Sequence, residues 1–117
     1  MQYFDFVQQH CESKPMVTVG FPFDEKTIVW KIEGKIFCIG DITHFDSIAL
    51  KCNPEKSQLL RQEHPQISGA YHMNKTHWNT IIFDGLSQNL LESLINHSFE
   101  LVVRKLPKKT REIINNL

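Results

Sequence analysis

The chain has 117 residues, of which 41% are hydrophobic and 22% are charged, a balance typical of globular proteins. This composition excludes an intrinsically disordered chain, which would be poorer in apolar residues and more highly charged. The 13 basic and 13 acidic side chains give a formal net charge of zero, whereas domains that coat nucleic acid non-specifically usually carry a basic excess.

The first third of the chain predicts a helix and then a β-hairpin. Residues 3–11 place apolar side chains one helical turn apart, and Pro15 limits the helix. β-branched and aromatic residues then fill residues 27–32 and 35–40, on either side of the two-residue turn Glu33-Gly34. A two-residue turn sets the register of a hairpin. The expected cross-strand pairs are Ile32 with Lys35, Trp30 with Phe37, and Ile28 with Ile39.

The rest of the chain predicts further strands and two longer helices. Residues 47–51 alternate as a third strand, and Asn53-Pro54-Glu55 is typical of a helix start, with the helix ending near Gln62. Residues 78–83 predict a fourth strand, and Ser87 caps a long helix whose apolar residues recur at helical spacing. Two smaller elements are also expected, a short strand near Tyr71 and a short basic helix after Pro107.

The order α-β-β-β-α-β-(β)-α predicts one α+β domain spanning residues 1–117. Consecutive strands joined by tight turns pair antiparallel. Helices separated from a run of strands are typical of a two-layer sandwich. We therefore expect an antiparallel sheet of about five strands with the helices packed on it.

Cysteine usage predicts a protein of the cell interior. Cys11, Cys38 and Cys52 are odd in number and form no closely spaced pair, so neither a disulfide scaffold nor a zinc site is expected. No apolar run approaches the roughly 20 residues of a membrane span. Residues 1–5 lack the basic and apolar regions of a signal peptide. We expect a cytoplasmic protein that does not contact a membrane.

The densest polar and aromatic segment is residues 71–79. Its lysine and histidines could hold phosphate, Asn74 could read a base edge, and Trp78 could stack on a base. The alternative is structural, with Trp78 in the core, Asn74 stabilising a turn and Lys75 in solvent. Both interpretations stay open at this point.

Metal binding and catalysis are not expected. His72 and His77 are five residues apart, which places them on opposite faces of a strand. A cysteine enzyme would need one of these histidines within about 4 Å of Cys38 or Cys52. There is no glycine-rich phosphate loop and no nucleophile elbow. We expect a protein that is not an enzyme and needs no cofactor.

The neutral net charge hides an asymmetry along the chain. Residues 1–70 hold seven basic and nine acidic side chains, and residues 71–117 hold six and four. The basic residues of the second part include Arg104, Lys105, Lys108, Lys109 and Arg111. Such a cluster can bind phosphates. It can equally complement the dipole at a helix C-terminus and aid solubility.

Four segments in this order and spacing resemble the MmcQ/YjbR-like family of small bacterial cytoplasmic proteins. The resemblance covers about residues 6–112 and is most specific at residues 71–78 (Tyr-His-Met-Asn-Lys-Thr-His-Trp). The four segments are residues 22–37, 47–61, 70–80 and 97–109. Where the family often has a glycine after an early proline, this chain has Met16, and where the family often has a tyrosine, it has Phe99.

The resemblance implies a compact α+β fold similar to secretion chaperones. The family is commonly labelled DNA-binding by likeness to a "double wing" motif, which is an argument from fold analogy. By position, the distinctive polar residues of the family fall on Asn74, Lys75, His77 and Trp78, with Lys35 and Lys51 on the sheet.

The leading hypothesis is a monomeric DNA-binding, regulatory protein. Asn74 and Trp78 would meet bases or sugar. The phosphate contacts would come from Lys35, Lys51, Lys75, His77 and a C-terminal cluster running from Arg104 and Lys105 through Lys108 and Lys109 to Arg111. The alternative is a module that binds a protein partner or a small ligand, if the helices leave part of the Trp30 and Phe37 face uncovered.

Overall fold

The computed structural model describes residues 2–71 and 73–117. In this part of the chain, six strands form one antiparallel sheet in the order β1-β2-β3-β4-β6-β5, and four helices accompany it. The elements are α1 (Gln2–Glu12), β1 (Val17–Gly20), β2 (Thr27–Ile32), β3 (Lys35–Asp41), β4 (Ser47–Lys51), α2 (Pro54–Glu63), β5 (Ile67–Gly69), β6 (Trp78–Ile82), α3 (Gln88–Arg104) and α4 (Lys108–Asn115). The predicted α+β sandwich is confirmed.

The sheet contains one strand more than the sequence predicts, and a second short strand is displaced. β1 pairs with β2 at the sheet edge and spans only four residues, Val17–Gly20, of which two are exposed. A sequence pattern of four residues is too short to distinguish a strand from a loop. The small strand expected near Tyr71 is β5, which lies earlier, at Ile67–Gly69, and pairs with β6.

The hairpin turn is confirmed, but most of the predicted register is wrong. Glu33 and Gly34 have φ of 51° and 76°, which is the left-handed backbone of a type I′ turn. Ile32 lies opposite Lys35, as this turn requires. Farther along, Trp30 lies opposite Cys38 instead of Phe37, and Ile28 lies opposite Gly40 instead of Ile39.

The physical reason is a β-bulge at Phe37. The register shifts by one residue between Trp30 and Lys31, so that β3 has one residue more than β2 in this stretch. Consequently both Phe37 and Cys38 are fully buried. Phe37 meets the ring of Phe99 on α3 edge-on, with 5.3 Å between centroids.

The core lies between the sheet and the helices. α3 crosses β3 and β4, α1 lies against β1, and α2 lies against β5. Trp30 is fully buried, so the helix layer covers this side chain of the predicted apolar face. The largest completely buried side chains are Trp30, Phe37, Phe83, Ile32, Ile48, Leu50, Ile81 and Ile95.

Gly40 is required by an aromatic cluster within this core. Phe45 packs against Phe4 at 5.2 Å, Trp30 at 6.3 Å and Phe83 at 5.4 Å between ring centroids. A Cβ atom at position 40 would lie 2.4 Å from Cε1 of Phe45. The absence of a side chain at Gly40 is therefore what allows Phe45 to sit over the sheet.

The start of α2 forms as its sequence predicts. The side-chain oxygen of Asn53 accepts hydrogen bonds from the backbone N–H groups of Glu55 and Lys56, and Pro54 occupies the first helical position. The backbone N–H of Asn53 in turn donates to Nε2 of His97 on α3 at 3.1 Å. This contact joins the α2 cap to α3.

None of the helices that the structure describes is long and apolar enough to cross a membrane.

Candidate functional site

Antiparallel pairing brings three of the predicted site residues to one end of the sheet. β3 begins at Lys35, and β4, which runs antiparallel to it, ends at Lys51. Lys51 lies directly opposite Trp78, the first residue of β6. Residues from three distant parts of the sequence therefore meet at one sheet end.

A fourth predicted residue, Lys105, reaches the same place from the end of α3. Burial lowers the pKa of Lys51, and the positive charges of Lys105 and Lys35 lower it further. Lys105 and Lys35 are therefore both close enough to Lys51 to repel its ammonium group. Among residues 2–71 and 73–117, none of the three is in an ion pair with a carboxylate. We call Lys35, Lys51 and Lys105 the sheet-end lysines.

Trp78 adds an aromatic surface to the sheet-end lysines. The ammonium of Lys51 lies 5.9 Å from the centroid of its indole ring, within cation–π range. Trp78 is only partly buried, so it is not a core residue. A cation beside a half-exposed indole can bind a phosphate while the ring offers a stacking surface.

The loop before β6 is held by Asn74 and Arg61. The side-chain oxygen of Asn74 accepts from the backbone N–H of Thr76, and its carbonyl accepts from the N–H of His77 and Trp78. Nη2 of Arg61 on α2 donates to the carbonyl of Lys75 at 2.6 Å. The Asn74 side-chain oxygen thus stabilises a turn, which is the structural role weighed for it.

Lys75 and His77, the other predicted site residues of this loop, have different neighbours. The ammonium of Lys75 lies 5.7 Å from the ring centroid of Tyr71. His77 is exposed, and its carbonyl accepts from the backbone N–H of Cys52. His72, considered above for metal binding and catalysis, lies outside the described residues.

The structure divides the predicted C-terminal basic cluster. Lys105 belongs to the sheet-end lysines, whereas Arg104 and Arg111 line a cavity between α3 and α4. Lys108 lies 4.0 Å from Glu112 in an exposed i,i+4 ion pair, and Lys109 is exposed. The cluster is continuous in sequence but not in space.

Two residues that the sequence analysis did not select, Lys56 and His97, lie near Arg104. Burial lowers the pKa of His97, the charges of Lys56 and Arg104 lower it further, and Glu100 opposes them. As a neutral ring, His97 can accept the hydrogen bond from the Asn53 N–H. No sequence signal relates these residues, because they come from α2 and from two turns of α3.

The sheet face opposite the helices carries an apolar groove of about 570 Å³. Its floor is formed by residues of the central strands, including Ile36, Ile39 and Ala49. Phe23 and Tyr71 stand at its borders, with 65% and 78% of their surfaces exposed. The sequence could not reveal this groove, because its floor and borders come from five separate segments.

The cysteines are in positions unsuited to nucleophilic chemistry. Cys11, Cys38 and Cys52 are free and buried. Burial raises the pKa of the Cys38 thiol well above its ordinary range, and the neighbouring Cys11 raises it further. A reactive cysteine has the opposite environment, exposed and with a lowered pKa. Among the residues that the structure describes, no group of three His, Cys, Asp or Glu side chains could hold a metal ion.

Comparison with known proteins identifies the class of this fold. The YjbR family matches residues 12–101. The YjbR protein of Escherichia coli K12 is 31% identical over 111 residues, covering 93% of this chain and 94% of that one. The YbdF protein of Escherichia coli O157:H7 is 40% identical over 100 residues, covering 84% of this chain and 82% of the relative.

Two crystal structures share the architecture. Protein DR2400 of Deinococcus radiodurans, with a DUF419 domain, has a TM-score of 0.89 and 36% identity, covering 96% of this chain and 87% of that one. A Pseudomonas syringae protein has a TM-score of 0.67 and 28% identity, covering 86% and 95%. The fold is thus the α+β fold of the YjbR and DUF419 proteins. The chain belongs to the YjbR family, which confirms the resemblance found in its sequence.

Proposed function

We propose that this protein binds nucleic acid through the phosphates, using the sheet-end lysines. The observation that carries the proposal is the convergence of Lys35 and Lys105 on Lys51, where their charges add to the burial that lowers the pKa of Lys51. Bringing like charges together without carboxylate partners is unfavourable in the unbound protein. A phosphate backbone supplies the neutralising charge, and its binding releases condensed counterions.

The neighbouring Trp78 supports the same function. Its partly exposed ring lies beside Lys51, so a base or sugar could contact the ring while its phosphate meets the ammonium. The neutral total charge limits non-specific attraction, and binding would therefore depend on this one end of the sheet.

The proposal is tested by fluorescence anisotropy with labelled duplex DNA over a series of salt concentrations. Each phosphate contact contributes about −0.9 to the slope of log K against log salt for B-DNA. Replacing all three sheet-end lysines by glutamine should flatten the slope by up to about 2.7 and abolish most of the binding.

The matched control is Lys26→Gln. Lys26 directly precedes β2, at the end of the sheet opposite the sheet-end lysines, and its replacement removes the same charge. Lys51→Gln should weaken binding several-fold, and Lys26→Gln should leave it nearly unchanged. Binding that is absent at low salt, or that responds equally to both substitutions, would show that the sheet-end lysines do not bind DNA.

A second candidate function is the binding of a small apolar ligand in the groove on the open sheet face. Its volume of about 570 Å³ lies within the range of small-molecule sites, and its floor is mainly apolar. The neutral dye N-phenyl-1-naphthylamine is a suitable probe. Ala49→Glu would place a carboxylate on the groove floor and abolish the fluorescence gain, whereas Ser68→Glu, on β5 outside the groove, would not. Equal fluorescence from both variants would exclude this site.

A further inference from the structure

The cavity between α3, α4 and the segment directly after α1 has the charge and shape of an anion site. Its volume is about 740 Å³, within the range of small-molecule sites. Three cationic side chains line it, Lys14, Arg104 and Arg111, against the single carboxylate of Glu100. The lining therefore carries an excess of two positive charges. It is separate from the sheet-end lysines, none of which lines the cavity.

Arg111 provides the clearest indication of a ligand. Its Nε is buried and has no hydrogen-bond partner among the described residues. Buried N–H groups are nearly always paired, and an unpaired one in a charged guanidinium is especially costly. An oxyanion entering the cavity beside Arg111 would place strong acceptors at this guanidinium.

The contacts of Lys14 hold its ammonium group in a fixed position at the cavity. Its ammonium donates to the side-chain oxygen of Asn96, which lies 2.9 Å from Nε2 of His10 as well. The ammonium also lies 5.2 Å from the ring centroid of Phe99. Burial lowers the pKa of Lys14, although the charges of Cys11 and Glu100 oppose this effect. The ammonium is thus fixed in direction and has lost part of its hydration.

The cavity wall is not entirely polar. Phe99, Val103 and Ile114 line it together with the cations. A ligand that fits both surfaces carries two negative charges on one group and has an apolar part attached. Guanidinium groups suit phosphate because their N–H donors match its oxygens in pairs.

We propose that this cavity binds the phosphomonoester of a small, partly apolar molecule. The phosphate lies among Lys14, Arg104 and Arg111, and the apolar part lies against Phe99 and Ile114. This inference does not depend on nucleic-acid binding at the sheet-end lysines.

The test is a ¹⁵N-NMR titration of the whole chain with phenyl phosphate. Separate titrations use phenol, which lacks the phosphate, and inorganic phosphate, which lacks the ring. Phenyl phosphate should bind more tightly than either, and its shifts should map to residues 13–15, 96–104 and 111–115. Phenol binding as tightly as phenyl phosphate, or shifts concentrated at Lys35 and Lys51, would overturn the proposal.

Substitutions locate the phosphate. Arg111→Gln and Arg104→Gln should each lower the affinity for phenyl phosphate by about tenfold, which is the effect expected when one charge-assisted hydrogen bond is lost. The matched control is Lys109→Gln, which removes the same charge from α4 outside the cavity and should have little effect. Arg104 is exposed, so its variant keeps the test valid if Arg111→Gln does not fold. Equal weakening by Lys109→Gln would mean unspecific attraction and overturn the proposal.

Discussion

The hydroxyl of Ser98 accepts a hydrogen bond from the backbone N–H of Lys51 at 2.9 Å. The same hydroxyl donates to the carbonyl of Phe37 at 2.6 Å. Cys38 and Leu50 are the last paired residues of β3 and β4 at this end, and Phe37 directly precedes Cys38 while Lys51 directly follows Leu50. A side chain of α3 therefore joins the two strands where their direct pairing ends, next to the bulge and to a sheet-end lysine.

Ser98→Ala is expected to destabilise the protein by about 2–3 kcal/mol, because it leaves a buried N–H and a buried carbonyl without their partner. The measurement is urea unfolding. Ser93→Ala is the matched control, since its exposed hydroxyl on the same helix donates to the carbonyl of Leu90 one turn earlier. That substitution should change the free energy of unfolding by less than about 0.5 kcal/mol. Equal stability of the two variants would show that the two hydrogen bonds of the Ser98 hydroxyl do not contribute to the free energy of unfolding.

Gly40→Ala should destabilise the protein by about 1–3 kcal/mol through overpacking, since its Cβ would meet the ring of Phe45. Gly20→Ala is the control, because a Cβ there would have no atom within 4 Å. The pair can be compared by thermal unfolding. Adding Phe45→Leu to Gly40→Ala should recover part of the loss. If the double variant is as unstable as the sum of the single ones, the contact is not the cause.

Met16→Gly should stabilise the protein by about 1 kcal/mol, because Met16 has φ of 62°, a left-handed backbone that disfavours any residue with a Cβ. Met16→Ala retains the Cβ and separates backbone strain from loss of the side chain. Chemical unfolding should rank Met16→Gly above both the parent chain and Met16→Ala. Identical stabilities for the two variants would place the effect in the side chain.

Stability should fall as pH decreases through about 6.5, in part because of His97. The native state lowers the pKa of His97, so the unfolded chain takes up a proton at a pH where the folded chain does not. Stability from this group is therefore present above the unfolded pKa and is lost below it, with a limit of about 1.4 kcal/mol per pH unit for one proton. His97→Gln should lose less stability between pH 7.5 and 5.5. Parallel pH profiles for the two proteins would contradict the assignment.

Local chemistry made several elements predictable from the sequence. The type I′ turn at Glu33-Gly34 and the cap at Asn53 depend on residues next to one another, and both form as expected. The bulge at Phe37 was not predictable, because it depends on Phe99 and Ser98, about sixty residues away.

The candidate site was predictable only in part, for the same reason. Resemblance selects Lys35 and Lys51, and the polar and aromatic segment 71–79 also indicates Trp78, yet only strand pairing brings the three together. The basic residues after Arg104 form one run in the sequence. In the structure they divide between the sheet end, the surface and a cavity, because the turn between α3 and α4 changes the chain's direction.

The three buried cysteines can report how fast their surroundings open in the native protein. Cys11 on α1 and Cys38 on a central strand are neighbours, so they are shielded together where α1 packs on the sheet, whereas Cys52 lies just after β4. A thiol reagent can reach each one only when its surroundings open. With two of the three changed to alanine or serine in turn, labelling rates would rank which part of the molecule opens first, with no added dye or tag.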